Sequence, residues 1–172
     1  MRTSTSLLTS TSTRTQTAVH LTDVITGAFS SIVATLGLSS GYLHSHWDAI
    51  ERGLIAWIEE GSLKDVSLEF GDPADPDAIF EIPLEYRFTG VGNVDFVASR
   101  ARLARLLAKV EAVPPGTAYR VVASHNGSHS PVDGWSATTA ASRAGLSAYN
   151  LGSLGSGPDA RASMNYLSRQ SS

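Results

Sequence analysis

The chain has 172 residues, no cysteine and a formal net charge of −3, with an isoelectric point near 5.9. That length suits one domain able to bury ~70% of its unfolded surface. The absence of Cys excludes disulfides, thiolate nucleophiles and Cys-ligated zinc, and makes a reducing, cytoplasmic location the expectation. Mild acidity gives no global attraction to nucleic acid or anionic lipid, and no apolar run reads as approaching the ~20 residues of a membrane span, so neither is an expected partner.

Residues 1–17, MRTSTSLLTSTSTRTQT, are rich in Ser and Thr, carry Arg2 and Arg14, and contain no acid. Leu7 and Leu8 are too few for a secretory apolar core. The expectation is a flexible tail over residues 1–14, with residues 11–17 available as an edge strand through their β-branched threonines. A helix follows over residues 19–36, where Leu21, Val24, Ile25, Ala28, Ile32, Val33 and Leu36 share one face, and Gly37 stops it. A second helix is predicted over residues 46–60, with Ser45 as N-cap, Gly61 just past its end, and a stripe of Trp47, Ile50, Leu54, Trp57 and Ile58.

The period then changes to two. Val66, Leu68 and Phe70 alternate with polar neighbours, and after the turn GDPADPDA so do Phe80, Ile82, Leu84, Tyr86 and Phe88. This predicts a hairpin with one buried face, in which Pro83 marks an edge, a bulge or an unpaired stretch. A third helix is predicted over residues 95–110, packing Phe96, Leu103, Leu106, Leu107 and Val110 before Pro114 and Pro115, and a strand over residues 118–124. The last stretch, residues 127–172, holds five charges among six Gly and eleven Ser. Yet Trp135, Leu146, Tyr149, Leu151, Leu154, Tyr166 and Leu167 recur through it, which suits a strand-forming surface wrap better than a solvated tail. Together the elements predict an α+β layer, three helices on one face of a mostly antiparallel sheet of five to six strands.

Residues with chemistry are sparse. His44 and His46 beside Asp48, and His125 with His129, are the metal-capable clusters, and the second sits in a turn-like HNGSH without Cys or nearby carboxylates; no metal or cofactor is expected. GVGN at residues 90–93 and GSLGSG at residues 152–157 lack the Lys-Ser/Thr of a phosphate loop and read as turns. There is no G-x-S-x-G elbow. Arg100, Arg102, Arg105 and Lys109 form one basic helix face, without the interleaved aromatics of a nucleic-acid platform.

The order TRTQTAVHLTDVI, HSHWDAIERGLIAWIEEGSLKDVSLEF, FEIPLEYRF, AYRVVASHNG and DGWSATTAASRAGLSAYNLGSLG resembles the bacterial HORMA domains that sit beside cGAS-like nucleotidyltransferases in anti-phage signalling operons. The likeness spans residues 13–168 and is carried most by WIEEGSLKDVSLEF and by Gly134-Trp135-Ser136. It implies a single HORMA-like domain with a core over residues 15–126 and a mobile C-terminal safety belt over residues 127–172. Such a protein has no catalytic activity. Its belt closes around a short closure-motif peptide, the closed form binds and activates the nucleotidyltransferase, and an AAA+ ATPase pulling on the N-terminus reopens it. On this reading Trp135, Leu146, Tyr149, Leu151, Leu154 and Tyr166 are the belt and peptide-binding residues. Only residues 167–172 follow the anchored part of this segment, too few for a C-terminal closure motif, so self-closure through one is not expected, while the N-terminal tail could still serve as one. The alternatives are a rigid docking adaptor of the same fold that never captures a peptide, and a small hydrolase using His125 or His129.

Overall fold

The first helix is longer than its apolar pattern. In the computed structural model, which describes residues 2–87 and 96–169, α1 runs Arg2–Thr35. Residues 1–14, expected as a loose tail, are therefore helical from Arg2, and residues 11–17 are helix rather than edge strand. No Gly or Pro interrupts them, and once a strong segment is nucleated each further residue adds a hydrogen bond despite modest propensity. The expected face is buried at Leu21, Ile25, Ala28, Phe29, Ile32 and Val33, with Val24 and Leu36 partly so. Contrary to the expectation of no membrane-length apolar run, an 18-residue stretch within Thr13–Thr35 has a mean hydropathy of 1.3, long and apolar enough by composition to cross a bilayer, but its apolar face lies in the protein core.

Gly37, at φ +70°, ends α1 with the paired bonds Gly37 N–H to Ala34 and Leu38 N–H to Val33. The second helix, α2 (Gly41–Glu60), begins one turn before the expected Ser45 because Leu43 buries against the core; the N-cap is Ser40. Gly61, at φ +79°, closes it as expected.

β1 (Leu63–Asp72) and β2 (Asp75–Tyr86) form the hairpin, with a turn of only Pro73 and Ala74. Phe88 and the turn at residues 90–93 lie outside the described residues. Next come β3 (Val97–Ala98), α3 (Arg100–Leu107), β4 (Tyr119–His125), β5 (Ser147–Ser156) and β6 (Ala160–Ser168). The third helix is thus shorter than expected. Val97 and Ala98 pair with Ser156 and Gly155, so strand pairing wins over helical periodicity there, and Phe96 is 42% exposed rather than core.

One six-stranded sheet results, in the order β3-β5-β6-β2-β1-β4, with the described pairings antiparallel. Pro83 sits in a central strand, opposite Asp65 of β1, and the ladder to β6 skips from Glu81↔Asn165 to Leu84↔Ala162. The proline's missing donor is thereby absorbed inside the sheet. Contrary to the expectation of one buried face, β1 is buried on both, since Ser67 (1% exposed) and Glu69 (3%) are covered as thoroughly as Leu68 and Phe70. The helices bury one side, and residues 138–146 cover the other.

Candidate functional site

The C-terminal segment takes a defined path. Residues 128–136 lie on α2: the Trp57 indole N–H donates to the Ser130 carbonyl at 2.7 Å, and the Glu60 carboxylate accepts the Ser130 amide at 3.0 Å and its hydroxyl at 2.7 Å. Trp135 then docks on the same helix. Its ring meets Trp57 edge-on at 4.8 Å and its N–H donates to the Ala49 carbonyl at 2.7 Å. Room for this ring exists because residue 53 is Gly; a Cβ there would stand 2.5 Å from Trp135 Nε1.

The segment next passes the β4 edge. The Arg120 guanidinium donates to Thr138 Oγ1 at 3.0 Å and to the Thr139 carbonyl at 2.7 Å. It also pairs with Glu69 at 2.8 Å. On the far face of the sheet, Glu69 accepts the Ala141 amide at 3.0 Å and Arg143 Nη1 at 3.2 Å. Arg143 also reaches Ser67. A carboxylate this deep is tolerated only because guanidinium groups and an amide saturate its oxygens. Leu146 joins Ile79, Ala141 and Leu167 in a small outer cluster. The chain then enters β5, which pairs with β6, which in turn pairs with β2.

Since α2 and Glu69 lie on opposite faces, the segment must round the edge of β4. That strand pairs with β1 on one side and, among the described residues, with no strand on the other. A cavity of about 260 Å³ follows, walled by Tyr42 and Ile50 of α2, Arg120 and Val121 of β4, and Trp135 and Thr138 of the segment. An unpaired strand edge beneath an arch of chain is suited to hold an extended peptide by backbone pairing.

Of the residues expected from the sequence, Trp135 alone lines this cavity. Leu154 (2% exposed) is core, Leu151 packs against it, and Tyr166 stacks on Phe80 at 4.8 Å while its hydroxyl accepts the Glu111 amide at 3.3 Å. Tyr149 is 48% exposed and meets Lys109, whose Nζ lies 5.5 Å from the ring centre. These four and Leu146 hold the β5–β6 hairpin in place, away from the slot. Sequence reading missed Glu69, Arg120, Arg143 and Tyr42. Glu69 carried no distinguishing signal, being one of three acids in β1 with Asp65 and Asp72.

No group of three metal-capable side chains occurs among the described residues. His125 and His129 stack face to face at 3.5 Å, both edge-on to Trp57. Burial, then the neighbouring His129, pushes the His125 pKa below its ordinary 6.5. Burial raises that of Glu60, but bonds from Ser62 and Ser130 and the charge of His129 outweigh it and hold the carboxyl below 4.5. Both shifts act in one direction. The unfolded chain takes up a proton at His125 that the folded chain resists, so stability is full above about pH 6.5 and falls as pH drops through it. Glu60 adds a second loss as pH falls through its depressed folded value. Thermal midpoints followed by Trp fluorescence should therefore decline between pH 7.5 and 5.5, and His125→Phe should flatten that decline.

A family model described as bacterial HORMA domain 2 matches residues 5–170. The chain belongs to this family. Solved structures agree on the HORMA fold. A chain of the crystal structure of the mitotic checkpoint complex matches with a TM-score of 0.71 at 11% identity, over 88% of this chain and 97% of that one. C. elegans HTP-2 bound to the HIM-3 closure motif matches at 0.62 and 16%, over 88% and 89%. The E. coli MS115-1 CdnC:HORMA-deltaN complex supplies a match at 0.59 and 12%, over 91% and 90%. No curated protein matches by sequence. As in the expected HORMA-like architecture, three helices lie against an antiparallel sheet completed by a C-terminal segment.

Proposed function

We propose that this HORMA protein is a non-catalytic regulator that captures a closure-motif peptide along β4 and in that form engages and activates a cGAS-like nucleotidyltransferase in anti-phage defence, with an AAA+ ATPase reopening it. The observation that carries the reading is the β4 edge, covered by no strand among the described residues and enclosed between α2 and the segment over residues 128–141. Support comes also from the family match and from the two kinds of neighbour, one bound to a closure motif and one in a CdnC complex. With β5 and β6 on the β2 side of the sheet, the arrangement corresponds to a closed belt.

Enclosure answers an energetic need. About five backbone hydrogen bonds at ~0.5–1.5 kcal/mol each give roughly 2.5–7.5 kcal/mol before ordering costs. Micromolar affinity needs ~8.2 kcal/mol. Side-chain pockets such as that beside Trp135, and the arch itself, must supply the remainder. The hydrolase alternative gains nothing from His125 and His129, which lie against Trp57 while Glu60 is committed to Ser62 and Ser130.

A peptide selected on the protein from a randomised displayed library tests the proposal by hydrogen exchange. Protection should rise at the Ala123 amide and over residues 132–141, while α1 changes little. Unaltered exchange there, with partner binding retained, would make the protein a rigid docking adaptor.

A further inference from the structure

Tyr42 divides the groove along the outer edge of β4. On one side lies the cavity beside Trp135; on the other lies a cavity of about 320 Å³ lined by Leu38, Ser39, Ala118 and Tyr119. Tyr42 borders both. Its ring is set edge-on to Tyr119 at 5.2 Å and tilted against His46 at 4.4 Å. Its hydroxyl accepts the Val121 amide at 3.2 Å.

That amide is informative. Alternate residues of a strand direct their backbone groups to opposite sides, and a donor of β4 that reaches Tyr42 is one that faces away from β1. A further strand would pair with it. The side chain reaches it from α2, so the hydroxyl oxygen stands where the carbonyl oxygen of an incoming backbone would stand. An edge strand left bare is open to unwanted pairing, and a tyrosine hydroxyl covers one point of it without supplying a strand.

We infer that Tyr42 is a gate on the β4 edge: it occupies the position of a ligand carbonyl, and an extended peptide must displace it to pair with Val121. Rotation of the ring away from the edge joins the two cavities into one continuous groove. The peptide's register follows, because one carbonyl must replace the hydroxyl. This inference rests on the peptide-capture reading above and adds the residue that controls entry.

Tyr42→Phe keeps the ring and removes the oxygen. In the unliganded protein the Val121 amide should exchange faster, with the thermal midpoint close to wild type. A peptide selected on the wild-type protein should associate roughly three- to tenfold faster with the variant, the range expected for losing one ordinary neutral hydrogen bond from the competing state. Its dissociation rate should barely change, since the bound state lacks that bond in both proteins. Unchanged Val121 exchange overturns the gate directly, and so does a wild-type association rate for a peptide that protects β4. Failure to select any peptide that protects β4 amides overturns the capture reading and the gate with it, so the two failures are told apart. Tyr42→Leu, which opens the partition while keeping an apolar contact to Tyr119, should also speed association; slowing in both variants would assign Tyr42 to ligand binding and reject the gate.

Discussion

Glu69→Gln should detach the middle of the belt while leaving the main core folded. The carboxylate is 3% exposed and takes bonds from Arg120, Arg143 and the Ala141 amide, which come from β4 and from the belt on either side of it. Removing one member of a buried ionic cluster costs ~3–5 kcal/mol when the remaining charges stay buried. Here the arginine side chains are 27% and 31% exposed, so solvent recovers part of that. A loss on the order of 2–3 kcal/mol remains, equivalent to roughly 4–12 °C in melting temperature for a domain of this size. Exchange should accelerate over residues 138–146 first. The main core lies on the opposite face of the sheet and touches none of these groups. If Glu69→Gln melts within a degree of wild type and residues 138–146 stay protected, the carboxylate is not what holds the belt.

The second large effect concerns the belt root. Trp135→Ala removes a ring seated on Gly53 and Trp57 together with its bond to Ala49, and at about 3 kcal/mol should weaken peptide capture on the order of 100-fold. Gly53→Ala offers a complementary test from the other side of the contact. Alanine at a helix interior gains up to ~1 kcal/mol over glycine, yet its Cβ must displace the indole, which it would meet at 2.5 Å. A helix made stronger and a belt root made weaker is the expected signature, seen as faster exchange over residues 130–136 with α2 more protected. Were Trp135 an ordinary core residue, its removal would lower melting temperature and binding in step. A stable Trp135→Ala protein with unchanged peptide affinity would remove the ring from the capture mechanism.

Much of the core was legible because burial leaves a periodic trace. The stripe from Leu21 to Val33, the Trp57 face of α2 and the alternation of Val66, Leu68 and Phe70 all lie in the main cluster. Local pattern misled where distant pairing decided the outcome. Phe96 fits a helical stripe, but the neighbouring Val97 and Ala98 find a strand partner in β5; of the edge, bulge or unpaired stretch that Pro83 allowed, the unpaired stretch is what the skipped β6 ladder shows. The slot was less legible than the fold. Its walls come from residues 42–50, 120–122 and 134–138, which only the path of the belt brings together. Family resemblance pointed to a belt, whereas the attachment of that belt through Glu69, Arg120 and Arg143 could not be read from spacing, because nothing in periodicity says which strand face another segment will cover.

Seven register pairs fasten β6 to β2, from Ala78↔Ser168 to Tyr86↔Ala160, on the far side of the sheet from β4. A peptide held along β4 would therefore be encircled by a loop whose clasp is elsewhere. Lateral escape requires the clasp to unzip; otherwise the ligand must be drawn out lengthwise, and a folded body at each of its ends would forbid that as knots at both ends keep a bead on a string. For a ligand blocked at both ends, residence time then reports the strength of the β2–β6 seam rather than the quality of its own contacts, and two such ligands of very different affinity for the edge would leave at nearly the same rate, whereas a free peptide enters and leaves lengthwise.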